Sequence, residues 1–199
     1  MNGLALSRAD SGAMVVLIAG AGVVLLVLIW LMVIYNRFVR LAAHIRESWA
    51  DIDVELKRRY DLIPNLVETV QGYARHERDV LERLTALRAK AQANTGTAAA
   101  QAVDEQALLL GLRQVFAVAE AYPQLKADAH FLALQKELAL TEDRIAAARR
   151  YYNGNVREYR NLREQFPTSV VAKTFGFADH ATFFELDDAV ERVVPRVGA

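Results

Sequence analysis

The sequence predicts an all-α protein in which an N-terminal transmembrane helix continues into an antiparallel up-and-down four-helix bundle. Three observations predict it. An uncharged run rich in Val, Leu and Ile extends from Ala13 to Ile34. Beyond Tyr35 the apolar residues recur at spacings of three and four, the period of a helix face. Gly and Pro are scarce, 10 and 4 in 199 residues, which argues against a loop-rich β protein.

The apolar run is the anchor. At about 1.5 Å per residue it spans roughly 33 Å, against about 30 Å of hydrocarbon in a bilayer. It lacks the polar stripe of an amphipathic surface helix. It is too long for a signal peptide, and no small-x-small cleavage site follows Ile34. Trp30 and Tyr35 stand at its C-terminal end, where amphipathic rings favour the membrane–water interface, and Arg37, Arg40 and Arg46 follow. The N-terminal side offers only Arg8, opposed by Asp10. The positive-inside rule therefore places the bundle in the cytoplasm and a short N-terminus outside. Ala19, Gly20, Ala21 and Gly22 are contiguous rather than spaced every fourth residue, so they give little signal for anchor pairing.

The first bundle helix reads as the anchor continued, with Ile45, Trp49, Ile52 and Leu56 on its apolar face. Asp61-Leu62-Ile63-Pro64-Asn65 reads as a break, Asp capping a new helix and Pro fitting its first turn. The second helix then runs to about Ala93, and Asn94–Thr97 is a loop. The third covers roughly Ala98 to Ala121, with Val103, Leu110, Val115 and Val118 toward the core, and Tyr122-Pro123 ends it. The fourth carries the longest seam: Phe131, Leu134, Leu138, Thr141, Ile145, Ala148, Tyr152, Asn155, Tyr159, Leu162 and Phe166. The expected division is a tail over 1–12, the membrane helix over 13–35, the bundle over 36–166 and a Phe-rich segment with an acidic tail over 167–199. Four alternating helices return the end of the fourth toward the membrane. Phe166, Phe175, Phe177, Phe183 and Phe184 therefore either meet the bilayer interface or a partner there, or fold back over the end of the bundle.

Composition narrows the chemistry. Lys+Arg and Asp+Glu balance at 24 each, so no net basic charge points to nucleic acid. Without cysteine there are neither disulfides nor thiolate metal sites. His44, His76, His130 and His180 are scattered, and His76-Glu77 lacks the second His of a zinc-protease motif. The Glu-x-x-His pairs of a di-iron bundle are absent as well. No catalytic residue, metal site or cofactor is expected. The polar cluster Lys57, Arg58, Arg59 and Asp61 with Asn65 is the candidate interaction site, at a membrane-distal turn. The plainer reading is a solvated helix end whose cations suit the helix dipole. Glu120, Arg144, Arg149 and Asn153 read as surface pairs or polar contacts in the bundle. Tyr73, Tyr122, Tyr152 and Tyr159 read as core rings with hydroxyls at the rim.

Residues 36–67, with Trp49-Ala50-Asp51-Ile52-Asp53-Val54 and Leu56-Lys57-Arg58-Arg59-Tyr60-Asp61-Leu62-Ile63-Pro64-Asn65-Leu66-Val67, resemble the signature stretch of the LemA family. Ala119–Lys126, Thr141–Ala146, Arg150-Tyr151-Tyr152-Asn153 and Phe166-Pro167 follow in the family's order, so the resemblance covers about residues 30–186. Tyr159-Arg160 stands where the family often has a second Tyr-Asn pair. The resemblance implies a bacterial inner-membrane protein, single-pass, with a cytoplasmic bundle of four helices and no established biochemical activity. One branch of the family is associated with magnetosome membranes, which implies membrane organisation and transfers no residue role. The expected function is a membrane-anchored scaffold or adaptor whose partners are the lipid bilayer and either another membrane protein or itself. The alternatives are a regulator of a membrane-bound enzyme such as a protease, and an enzyme with an unfamiliar site.

Overall fold

The computed structural model describes residues 3–179 and 181–186, with side chains at Met14 and from Val16 onward. Its helices are α1 (Gly3–Tyr73), α2 (Arg78–Ala93), α3 (Ala98–Glu120), α4 (Pro123–Lys126), α5 (Ala129–Glu164) and α6 (Thr168–Thr174). No strand occurs among the described residues. The fold is all-helical with a long apolar N-terminal helix, as the sequence predicts. His180 and the acidic positions Asp187, Asp188 and Glu191 lie outside the described residues.

The break expected at Asp61–Asn65 does not occur. α1 passes through Pro64 and ends at Tyr73. A proline inside a helix removes the bond from its own nitrogen to the carbonyl four residues earlier. Here that carbonyl belongs to Tyr60, and Arg88 of α2 donates its Nε–H to it at 2.6 Å. A side chain from the neighbouring helix thus takes the place of the lost backbone donor, and Asp61 stays exposed on the surface of α1. Replacing Arg88 with methionine orphans the carbonyl while keeping the aliphatic stem. The expected loss is about 1 to 3 kcal/mol in the unfolding free energy, read from denaturant titration in micelles.

Two compact units divide the chain. The larger joins Ala43–Glu158 with the segment from Asp179 onward. Within it, Tyr73 Oη donates to Asp128 Oδ2 (2.9 Å), Arg59 Nη1 to Glu142 Oε1 (2.7 Å) and Asn155 Nδ2 to the His44 carbonyl (3.4 Å). Residue numbers fall along α1 as they rise along α5, so the two helices are antiparallel. α2 and α3 form a hairpin across Asn94–Thr97, closed by Lys90 Nζ on Asp104 Oδ1 at 2.8 Å. Thr97 caps α3, its Oγ1 accepting the Ala100 N–H. At Gly111 the helices approach so closely that a Cβ would lie 2.9 Å from Leu87 Cδ1. Ile52, Leu56, Ile63, Leu66 and Val70 of α1 join Leu84, Leu108, Leu112, Val115, Leu138, Ile145 and Val156 in the core.

The seam predicted on α5 is buried or half-buried from Phe131 to Leu162, and only Phe166 departs, at 84% exposed. On α3 the predicted face is partly wrong. Val115 is buried and Val118 packs on the core, but Val103 and Leu110 are exposed. The true inward face includes Gln101 and Glu105, and a template that counts apolar residues alone passes over it. Tyr152 is a core ring as expected, whereas Tyr73 is exposed at the end of α1.

Two carboxylates, Asp128 and the buried Asp104, link this packing to pH. Asp128 accepts the Phe131 N–H at 2.9 Å, opening α5, and also the Tyr73 hydroxyl; the two hold its carboxyl below the usual range. Asp104 is lowered first by Lys90, then by Asn94. A carboxylate with a depressed folded-state pKa stabilises the fold above its ordinary pKa, and that stabilisation is lost as pH falls through the depressed value. Melting temperature should fall with pH below the ordinary carboxylate range. Asp128→Asn should flatten that acid limb while lowering stability at neutral pH.

The smaller unit joins residues up to Ala42 with Tyr159–Ala178. Fully buried Phe38 stacks on Phe177, centroids 4.6 Å apart, and meets Tyr159 edge-on at 5.7 Å. Tyr35 contacts Phe175 at 5.2 Å and Phe177 at 5.4 Å. The Tyr159 hydroxyl donates to the Ala178 carbonyl at 3.1 Å. The turn that brings Phe177 back needs a left-handed residue at Gly176, φ +72°, after which the Phe177 N–H bonds the Ala172 carbonyl at 2.9 Å.

Candidate functional site

α1 places Arg59 on the same stripe as Ile52, Leu56 and Ile63, facing inward. A guanidinium in that position must find acceptors or be expelled. It finds two. Glu142 of α5 accepts from Nη1 at 2.7 Å, and Glu105 of α3 accepts from Nη2. Tyr60 donates its hydroxyl to the other oxygen of Glu105, and Gln101 Nε2 donates to that oxygen at 2.6 Å and to the Ala91 carbonyl at 3.0 Å. Arg59 and Glu105 have no solvent exposure, and Glu142 very little. Burial opposes the charge on Arg59, but Glu142 and then Glu105 more than offset it, so the guanidinium is held protonated above its ordinary range. Burial, then Glu105, pushes the Tyr60 phenol well up, so it stays a donor. The cluster joins three helices through charged hydrogen bonds and leaves Glu105 no route to solvent.

This divides the predicted polar site. Lys57, Arg58, Asp61 and Asn65 are exposed, with Lys57 paired to Asp53 at 2.6 Å. They lie within the last third of α1 and not at a turn, while Arg59 turns the other way into the core. Glu105, Gln101 and Glu142 were not singled out from the sequence. The available signal was a charge at Arg59 on an apolar stripe, repeated by Gln101 and Glu105 on the stripe of Leu108 and Leu112. Of the other polar candidates, Glu120 pairs with Lys126 at the surface at 2.5 Å, and half-exposed Arg144 lies 3.9 Å from Glu55. Arg149 is buried. Asn153 binds the backbone of Phe184 from both sides, its Nδ2 donating to the carbonyl and its Oδ1 accepting the N–H, each at 2.9 Å.

The predicted aromatic segment divides too. Phe184 is fully buried in the larger unit against Trp49, and Phe183 packs on the same core. Phe166 and Phe175 are exposed in the smaller unit, and Phe177 is half-buried there against Tyr35 and Phe38. Fold-back therefore accounts for the last two rings and not for the first two. On α1, Trp30, Tyr35, Arg37 and Arg40 follow an outward-facing apolar stretch in which Leu17 is 72% exposed. That stretch is long and apolar enough to cross a membrane and makes α1 a candidate anchor. Among the described residues no group of three or more His, Asp or Glu is placed to hold a metal ion.

Geometry thus defines an all-helical protein with an ion-locked core and a candidate membrane anchor on its first helix. The chain belongs to the LemA family, whose model matches residues 48–198. It is similar to Protein LemA of Metamycoplasma hominis, 26% identical over 149 residues that cover 74% of this chain and 68% of that one.

Proposed function

We propose that the protein is a membrane-anchored helical-bundle scaffold or adaptor, held in a bacterial inner membrane with its short N-terminus outside and its bundle in the cytoplasm. One observation carries the reading: α1 is a single helix that is largely outward-facing and apolar from Val16 to Val33 and core-forming from Ile52 to Val70. Such a helix ties a folded bundle to a bilayer without a linker. Arg37, Arg40 and Arg46 on the C-terminal side support the orientation. The fully buried charged groups, Arg59 and Glu105, bind each other and neighbouring side chains and are closed to a substrate, which favours a scaffold over a catalyst.

The test is cross-linking of the full-length protein in its native membrane, followed by purification in mild detergent and mass spectrometry. A single stoichiometric partner would make the protein an adaptor. Recovery of itself in large assemblies would make it a scaffold. Monomers with no partner under efficient cross-linking would overturn both.

A further inference from the structure

The smaller unit holds an unpartnered surface that this reading leaves unused. α6 buries Thr168, Val171 and Ala172 and turns Val170 and Lys173 outward. Phe166 precedes it and Phe175 follows it, both exposed. Three large apolar side chains in water on one short segment demand an explanation. Position supplies one. The Phe175 ring meets Tyr35, one residue beyond the end of the apolar run, so this segment sits at the level where that run gives way to arginine. Charge supplies the second. Lys173 of α6 and Arg40, five residues beyond Tyr35, are both exposed cations. An exposed apolar surface rimmed by cations at the foot of a membrane helix matches an anionic lipid surface.

We propose that α6 and its flanks form an interfacial foot, laying Phe166, Val170 and Phe175 into the headgroup boundary of an anionic bilayer, with Lys173 and Arg40 against lipid phosphates. The proposal rests on α1 being the anchor, so the experiment reads the two separately. The chain has no cysteine, so single ones can be placed at will. Full-length Val24→Cys, Phe166→Cys, Val170→Cys and Ala127→Cys variants are labelled with nitrobenzoxadiazole and reconstituted into phosphatidylcholine vesicles, with or without phosphatidylglycerol, carrying doxyl-lipid quenchers. The foot requires blue-shifted emission and strong quenching at 24, 166 and 170, none at exposed Ala127, and weaker quenching at 170 without phosphatidylglycerol or with Lys173→Glu. Quenching at 24 but not at 166 or 170 overturns the foot and leaves the anchor standing, and so does a label shielded by cross-linking to a second copy instead of lipid. Quenching at 170 indifferent to lipid charge and to Lys173→Glu overturns the anionic preference. Absence of quenching at every position overturns the anchor and the foot together.

Discussion

Arg59→Ala should cost about 3 to 5 kcal/mol of stability, because removing one member of a buried ion pair leaves the other charged and unpaired in a medium that cannot solvate it. The residue left behind is Glu105, which has no exposure and, among the described residues, keeps Tyr60 and Gln101 as donors. Desolvation of both charges offsets part of their Coulombic gain while the cluster is intact, so much of the loss measures the orphaned carboxylate and not the worth of the pair. A second variant separates the two. Arg59→Met with Glu105→Gln removes both charges, and its stability should lie closer to wild type than that of Arg59→Ala. Denaturant unfolding in micelles, followed by circular dichroism, gives the coupling energy from the cycle of single and double variants. Additive effects of the two substitutions would mean that the ion pair does not hold these helices.

Phe184→Ala should cost about 3 to 5 kcal/mol if the segment unfolds together with the bundle, the usual penalty for emptying a buried aromatic site. Phe184 has no exposed surface, and Trp49 packs against it at 5.7 Å and against Tyr152 at 5.4 Å. The segment is held by more than apolar burial. Asn153 binds the Phe184 backbone twice, and the Tyr152 hydroxyl donates to the Thr182 carbonyl at 2.9 Å. Asn153→Ala should therefore release the same segment with the ring intact. Trp49 is one of two tryptophans, and a Trp30→Phe background isolates it. Its emission should shift red in both variants. An unchanged spectrum in Phe184→Ala would show that this segment does not cover Trp49.

The apolar run and the seam of α5 were legible because their signals are long and of one kind: a charge-free stretch, and side chains repeating every three or four residues. The break at Pro64 was misplaced for a reason no local reading reveals. Whether a proline ends a helix depends on whether something else takes the carbonyl it orphans, and Arg88 lies 28 residues further on. The buried cluster was hidden in the same way. Arg59 was read with Lys57 and Arg58 as one basic patch, yet a helix turns about 100° per residue and sends such neighbours in different directions. Its partners are 46 and 83 residues away. The Phe-rich segment was read as one body, but Asn153 claims its far end while the near end packs on Tyr35 and Phe38.

The span of 83 residues between Arg59 and Glu142 also sets an order of events on the ribosome. At roughly 5 to 20 residues per second, Arg59 is made about 4 to 17 seconds before the last of its two carboxylates exists. Late in that interval Arg59 has at most Glu105, 46 residues on, as a partner, and the three-helix cluster cannot close. The apolar stretch, made earlier still, has no such wait. The three-helix lock therefore closes only once α5 is being made, long after the candidate anchor has been synthesised.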